Sequence, residues 1–318
     1  MAFIKNSADE FRKTRAPVRS GFGLTLIALL LLSFPAAEAG TEGKKAGLPP
    51  SLEETVRLSL EHALSSAVMG KKDAAPVREN VVVEAKTLYF EILYKKEQLD
   101  IAEEVKGYFE KAISKAEEKY ESGDGDVSQS AITKMKLGLA GSTNDIIKLR
   151  SDIKIAKLTL GTLMGRELSL DSEVGEGKIA PLKFQYENYE DYEKSLPRKS
   201  QEKAVRTGNP GNPKQNPGGG SPEKSALEAD IRLAMRKSFI KAIEKRDIMR
   251  LAEKNRKITR ALLVTEVANY DFGIGNAEDL FQSLIIYTRV SSGYYESIYD
   301  FNVAAIELER QKSRFLGL

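Results

Sequence analysis

Tyr270-Asp-Phe-Gly-Ile-Gly-Asn-Ala-Glu-Asp-Leu-Phe281 decides the fold. Two glycines one residue apart weaken a helix interior but suit a tight turn. Asn276 behind them is a natural helix N-cap. Asp279, three positions on, falls in the first turn, where a carboxylate meets the positive end of the helix dipole. The stretch predicts one long helix ending near Tyr270 and another starting after Asn276. The chain makes the same move earlier, at Tyr120-Glu-Ser-Gly-Asp-Gly-Asp-Val127.

The flanks carry the matching pattern. After the later turn, Leu280, Leu284, Tyr287, Ser291, Tyr294, Ile298, Phe301, Ala305 and Leu308 recur in alternating three- and four-residue steps. After the earlier turn, Ile132, Met135, Leu139, Ser142, Ile146, Leu149, Ile153, Ala156, Leu160 and Leu163 do the same. A sustained repeat of this kind specifies coiled-coil packing. Before the earlier turn, a helix over about Val81–Lys119 shows the stripe through Ala85, Leu88, Ile92, Leu99, Ala102, Phe109, Ile113 and Ala116, interrupted at Lys95 and Lys106. Such helices run to roughly 50–60 Å at 1.5 Å per residue.

The two halves align. Tyr89 matches Phe239, Ala102-Glu103 matches Ala252-Glu253, and Tyr120, Gly123 and Gly125 match Tyr270, Gly273 and Gly275. Beyond the turns, Ile146 matches Tyr294, Asp152 matches Asp300 and Leu160 matches Leu308. The predicted class is all-α with little or no β: two duplicated, long, antiparallel coiled-coil hairpins.

At the front, residues 1–21 hold five basic side chains, Phe22–Phe34 is apolar, and Ala37-Glu38-Ala39 forms a cleavage signal. That apolar run is shorter than the ~20 residues a bilayer span needs, so residues 1–39 are expected to be an export signal. Cysteine is absent, which rules out a lipid-bearing Cys after the signal and any disulfide. Removing residues 1–39 takes five basic and three acidic residues, leaving 44 against 43, a formal +1. Nucleic acid is therefore not an expected partner. No later apolar stretch is long enough to span a bilayer as a helix.

The organisation that follows is a signal over 1–39, a first helical repeat over 40–165, an irregular region over 166–225 and a second repeat over 226–318. The first repeat opens with the capping box Ser51-Leu-Glu-Glu54 and a short amphipathic helix with Gly70 as its natural stop. His62, the only histidine, lies in that helix and is expected to be solvated or packed. The irregular region contains the Tyr-rich run Phe184–Tyr192 and a linker over Gly208–Pro222 holding five Gly and four Pro.

Catalytic and metal signatures fail on inspection. Asp124-x-Asp126-x-Ser128 lacks the Gly and Glu of a calcium loop, having Gln129 and Met135 there. Gly138-Leu-Ala-Gly141-Ser lacks the Lys-Ser/Thr ending of a phosphate loop. No cofactor, metal site or catalytic group is expected.

Tyr270-x-x-Gly273, an Asp six residues beyond that Gly, and Tyr294-Tyr295-x3-Tyr299-Asp-Phe-Asn302-x-Ala304-x3-Leu308 together resemble the TolC-like outer-membrane efflux proteins. Leu158-Thr-Leu-Gly-Thr-Leu-Met-Gly165 resembles the close of that family's first half, and Ser51–Leu60 its opening helix. The resemblance covers residues 51–165 and 226–317. It implies a homotrimer whose helices form a periplasmic tunnel beneath a shared β-barrel, working with a periplasmic adaptor (membrane fusion) protein and an inner-membrane transporter. The turns at Gly123, Gly125, Gly273 and Gly275 would be adaptor-docking tips. Asp279 matches an entrance acid, Gln282 occupies the next such position, and helix capping at Asp279 is compatible with that role. The family's barrel strands have no counterpart here: Ile179-Ala-Pro-Leu-Lys-Phe-Gln-Tyr186 is the best candidate, and it is short and broken by Pro181. Two readings stay open, a TolC-like part of an envelope export conduit and a non-transporting periplasmic coiled-coil scaffold.

Overall fold

A capping serine opens the first helix: Ser51 Oγ accepts from the Glu54 amide at 3.2 Å, and α1 runs Leu52–Ser66. The computed structural model describes residues 50–66, 74–123, 127–171, 177–197 and 222–317. The export signal, Gly70, Gly125 and most of the Gly/Pro linker lie outside these residues. Helix α2 spans Ala74–Glu121, α3 Gln129–Leu163, α4 Tyr189–Ser195, α5 Pro222–Phe272 and α6 Ala277–Leu316. No β-strand occurs among the described residues, and no described helix is long and apolar enough to cross a membrane.

Two helices are longer than the periodicity indicates. α2 starts at Ala74 rather than near Val81, because Pro76 falls in its first turn, where a missing N–H breaks nothing. α5 starts on Pro222 itself, the favoured first helical position for proline, and its 51 residues reach about 77 Å.

Packing places the four long helices side by side in the order α3–α2–α6–α5, with α1 lying on α2. α2 and α5 each form a hairpin with the helix that follows, and the hairpins meet through α2 and α6. This explains why α2 looked irregular as a single stripe. It buries Tyr89, Phe90, Leu93, Ile101 and Val105 in addition to Ala85, Ile92 and Ala102, because three helices surround it. All ten stripe residues of α3 are buried or half-buried, as the repeat predicts.

The two lysines that broke the α2 stripe are accommodated. Lys95 Nζ reaches Asp152 across the hairpin at 2.9 Å, and Lys106 pairs along its own helix with Glu110. At the corresponding place in the second hairpin, Lys245 reaches Asp300 at 2.5 Å. The hairpins therefore share a cross-helix ion pair as well as an apolar pattern.

The bundle end away from the turns carries a clasp that the sequence did not announce. Residues 177–197, part of the region expected to be irregular, pack onto α5 and α6. Tyr189, Tyr192 and Leu196 form a second core with Met235, Phe239, Ala242, Ala304 and Leu308, and Phe184 and Tyr186 pack against it. Arg246, only 4% exposed, is held in this cluster by Glu187 at 2.5 and 3.0 Å and by the Tyr186 carbonyl at 2.8 Å. The stretch considered as a strand runs without helix or strand structure along α6. Asn302, wholly buried, pairs with it: its Oδ1 accepts from the Leu182 amide at 2.8 Å and its Nδ2 donates to the Ala180 carbonyl at 2.9 Å. One side-chain amide thus satisfies the backbone groups that a neighbouring strand would otherwise satisfy.

Candidate functional site

The turns form one end of the bundle, and three of the four glycines singled out there are described. Gly123 (φ +77°) and Gly273 (φ +76°) adopt the left-handed conformation that closes a helix, each donating its N–H to the carbonyl of Tyr120 or Tyr270 at 3.2 Å. Gly275 differs from the expectation of a special backbone angle. Its φ is not left-handed; a Cβ there would lie 2.8 Å from the Asn269 Cβ and 3.0 Å from the Asn269 carbonyl carbon, so it serves close approach. Gly273→Ala is expected to lower stability by about 1 kcal/mol through αL strain. Gly275→Ala is expected to reshape the turn, seen as altered proteolysis between residues 269 and 277. Wild-type melting and cleavage in both variants would contradict this account.

Asp279 and Gln282 are both exposed on the first turns of α6. Asp279 and Asn276 make a reciprocal cap: the Asp279 amide donates to Asn276 Oδ1 at 2.8 Å, and Asn276 Nδ2 donates to Asp279 Oδ2 at 2.7 Å. Gln282 donates to Glu278 at 3.0 Å, and Glu278 pairs with Lys134 of the other hairpin at 2.8 Å. The acid that joins the tips is thus Glu278. Its hydrogen bonds from Lys134 and then Gln282 hold its carboxyl below the ordinary glutamate range.

Other contacts fasten the later turn to α2. The Tyr270 hydroxyl donates to the Ala112 carbonyl at 3.2 Å, and Lys115 donates to the Asp271 carbonyl at 2.5 Å. Lys115 and Lys119 sit 5.6 and 5.8 Å from the Tyr270 ring centroid. With the backbone so anchored, Phe272 and Ile274 are presented to solvent, 81% and 78% exposed. Sequence reasoning named the glycines and passed over these two. The signal was there, since a Phe-Gly-Ile-Gly turn has no helix face in which to bury either side chain.

Further along, Glu104 on α2 joins the hairpins, accepting from Arg260 at 2.5 Å and from the Tyr287 hydroxyl at 2.8 Å. Burial, then the Glu104 hydrogen bond, raises the Tyr287 hydroxyl above its usual value. Burial likewise raises Tyr94, Tyr294 and Tyr295, and pushes Tyr299 up to about 12. A phenol whose pKa is raised by folding contributes stability that is complete below its unfolded value near 10 and is lost as pH climbs toward the folded value. Helix content should therefore hold to about pH 10 and fall together with tyrosinate appearance between about pH 10 and 12. Smooth tyrosine ionisation with helicity retained would rule this out.

The edges of the layer hold a further feature. On α5 the inward face carries Met235, Phe239, Ala242 and Leu263, yet Leu233, Ile240, Ile248, Leu251, Ile258 and Leu262 are all exposed. On α3, Leu137, Ile147, Ile155 and Leu158 are exposed behind the buried stripe. Isolated exposed leucines are ordinary, but these recur along one face of each edge helix. Among the described residues no cluster of three or more potential metal-ligating groups occurs.

This combination of layered long hairpins with paired turns defines the TolC-like helical fold of outer-membrane channels. Three solved structures carry the comparison. The chain is similar to CusC, studied for conformational changes accompanying folding and transmembrane channel formation, with TM-score 0.54, 12% identity, and 82% of this chain and 73% of that one covered. For the outer-membrane channel OprN the values are 0.57, 10%, 82% and 71%. For the outer membrane protein VceC of Vibrio cholerae they are 0.54, 12%, 84% and 75%. At such identities the likeness is one of fold. No protein-family model matches the sequence, and no curated protein matches it.

Proposed function

We propose that the protein is a TolC-like component of an envelope export conduit, built as a ring of copies and acting without catalysis. The observation that carries this reading is the pair of apolar stripes on α3 and α5, the two edge helices of the four-helix layer. A face on one edge that fits a different face on the other edge generates a closed ring when the rotation per copy closes. Burying one Leu or Ile contributes roughly 1.5–3 kcal/mol, so several per edge suffice to hold neighbours together. The family resemblance supports a trimeric ring, and the N-terminal segment supports export through the inner membrane to a periplasmic place at the outer membrane. Its tips would meet an adaptor protein through the Gly123, Gly125, Gly273 and Gly275 turns, with Phe272 and Ile274 as the apolar contacts. Asp279 and Gln282 would face the entrance, and an inner-membrane transporter would complete the path.

Native mass measurement tests the reading. The expected result is a single species at three times the chain mass, converted to monomer by Ile258→Glu with Ile147→Glu. Monomer at micromolar concentration for the unaltered chain would leave the scaffold reading in its place.

A further inference from the structure

At the bundle end away from the turns, α1, the start of α2 and the end of α6 enclose a groove of about 610 Å³. Its floor is apolar, formed by Leu60, Val82, Val83 and Ile306. Its rim is basic, and the charges do not cancel locally. Four cations line the groove, Arg78, Lys86, Arg310 and Arg314, against two carboxylates, Glu79 and Glu309. Both carboxylates are already engaged: Glu79 takes Arg314 at 2.7 Å, and Glu309 takes Lys312 at 2.9 Å. Among the described residues, neither Arg78 nor Lys86 has an ion-pair partner. Arg310 has only Glu307, one turn back on its own helix, whose carboxylate lies 3.3 Å from the buried Nε without hydrogen-bond geometry.

A cavity of several hundred Å³ with an apolar floor and a few converging polar groups has the form of a small-ligand site. Water does not complement this one, because it leaves the floor wetted and the cations uncompensated. A hydrophilic anion would satisfy only the rim. We propose that the groove binds an amphiphilic anion, a single acyl chain ending in a phosphate or carboxylate. The chain would lie on Val82, Val83 and Ile306, and the head group would take Arg78, Lys86 and the free edge of Arg310. Each copy carries its own groove, so the inference stands independently of ring assembly.

The test is calorimetric titration of the full chain with dodecyl phosphate below its micellar concentration, alongside dodecyl maltoside and inorganic phosphate. The expected result is saturable binding of one dodecyl phosphate per chain, at least tenfold tighter than either control. Arg78→Gln with Lys86→Gln should weaken it about thirtyfold, equal to about 2 kcal/mol. These side chains support no ion pair in the fold, so an unchanged melting curve is expected alongside. Equal affinity for the maltoside would show a purely apolar crevice, and equal affinity for inorganic phosphate a simple anion site. Either result overturns the proposal, as do binding that the double variant leaves intact and no saturable binding at all.

Discussion

Asn302→Asp is expected to destabilise the protein by about 2–4 kcal/mol at neutral pH. The residue is wholly buried, and its amide serves one donor and one acceptor of the 180–182 backbone. An aspartate can still accept from the Leu182 amide, but its second oxygen would confront the Ala180 carbonyl instead of donating to it. The loss should be pH-dependent in a stated direction. A buried carboxyl facing a carbonyl has its pKa raised by folding, so the variant's stability is greatest below the unfolded aspartate value near 4 and falls as pH rises through the folded value. Protonated, the acid can donate to Ala180 and reproduce the amide's geometry. Urea titrations at acid and neutral pH should show the gap to the parent shrinking in acid. A variant as stable as the parent at pH 7 would mean that the clasp contributes little.

Phe109→Ala is expected to cost about 3–5 kcal/mol, the range for deleting a fully buried phenyl ring. Phe109 is 1% exposed and packs beside Phe281 with ring centroids 6.1 Å apart. Its ring lies against Gly138 of α3, where an added Cβ would come within 2.5 Å of the ring's Cζ. Ordinary helix propensity makes Gly138→Ala favourable by nearly 1 kcal/mol. The close approach reverses that sign, since a sealed ring has nowhere to go, and a net loss of about 1–2 kcal/mol is expected. In the double variant the alanine methyl enters space the ring has vacated, so the two losses should fail to add. Thermal unfolding of the four proteins measures this. A rise in Tm for Gly138→Ala alone would show that α2 and α3 are less closely packed than described.

What could be read in advance follows from where each constraint resides. The α3 stripe, the Asn276 cap and the left-handed glycines depend on neighbours within a turn or two, so spacing alone reveals them. The role of Gly138 depends on a ring contributed by another helix, and no local pattern shows it. The clasp is an intermediate case. Its aromatic residues sit among Glu, Asn and Asp, which dilutes any apolar periodicity, and α4 is only seven residues long. Yet Asn188 and Asp191 repeat the reciprocal cap of Asn276 and Asp279, with the Asp191 amide donating to Asn188 Oδ1 at 2.9 Å. The signature read at Asn276 was present at Asn188 too, and there it was passed over. Lys95 and Lys245 also stand at corresponding positions in the two halves, but Lys95 was read only as a fault in the stripe, because its partner Asp152 lies on another helix.

Those lysines bear on how a hairpin of this length finds its alignment. A heptad pattern is nearly blind to a slip of seven residues, which shifts one helix by about 10 Å while returning apolar side chains to apolar neighbours. The turn opposes such a slip only where it is short and closed, and its grip weakens with distance. Lys95 lies 28 residues before Gly123, and Lys245 lies 28 before Gly273. A one-heptad slip would set Lys95 opposite Thr159 in one direction and Asp145 in the other, and Lys245 opposite Gly293 in one direction and Glu307 in the other. The two ion pairs therefore act as a one-sided vernier mark, opposing the slip toward Thr159 or Gly293 that the hydrophobic pattern would allow, at the place where the turn can no longer do so.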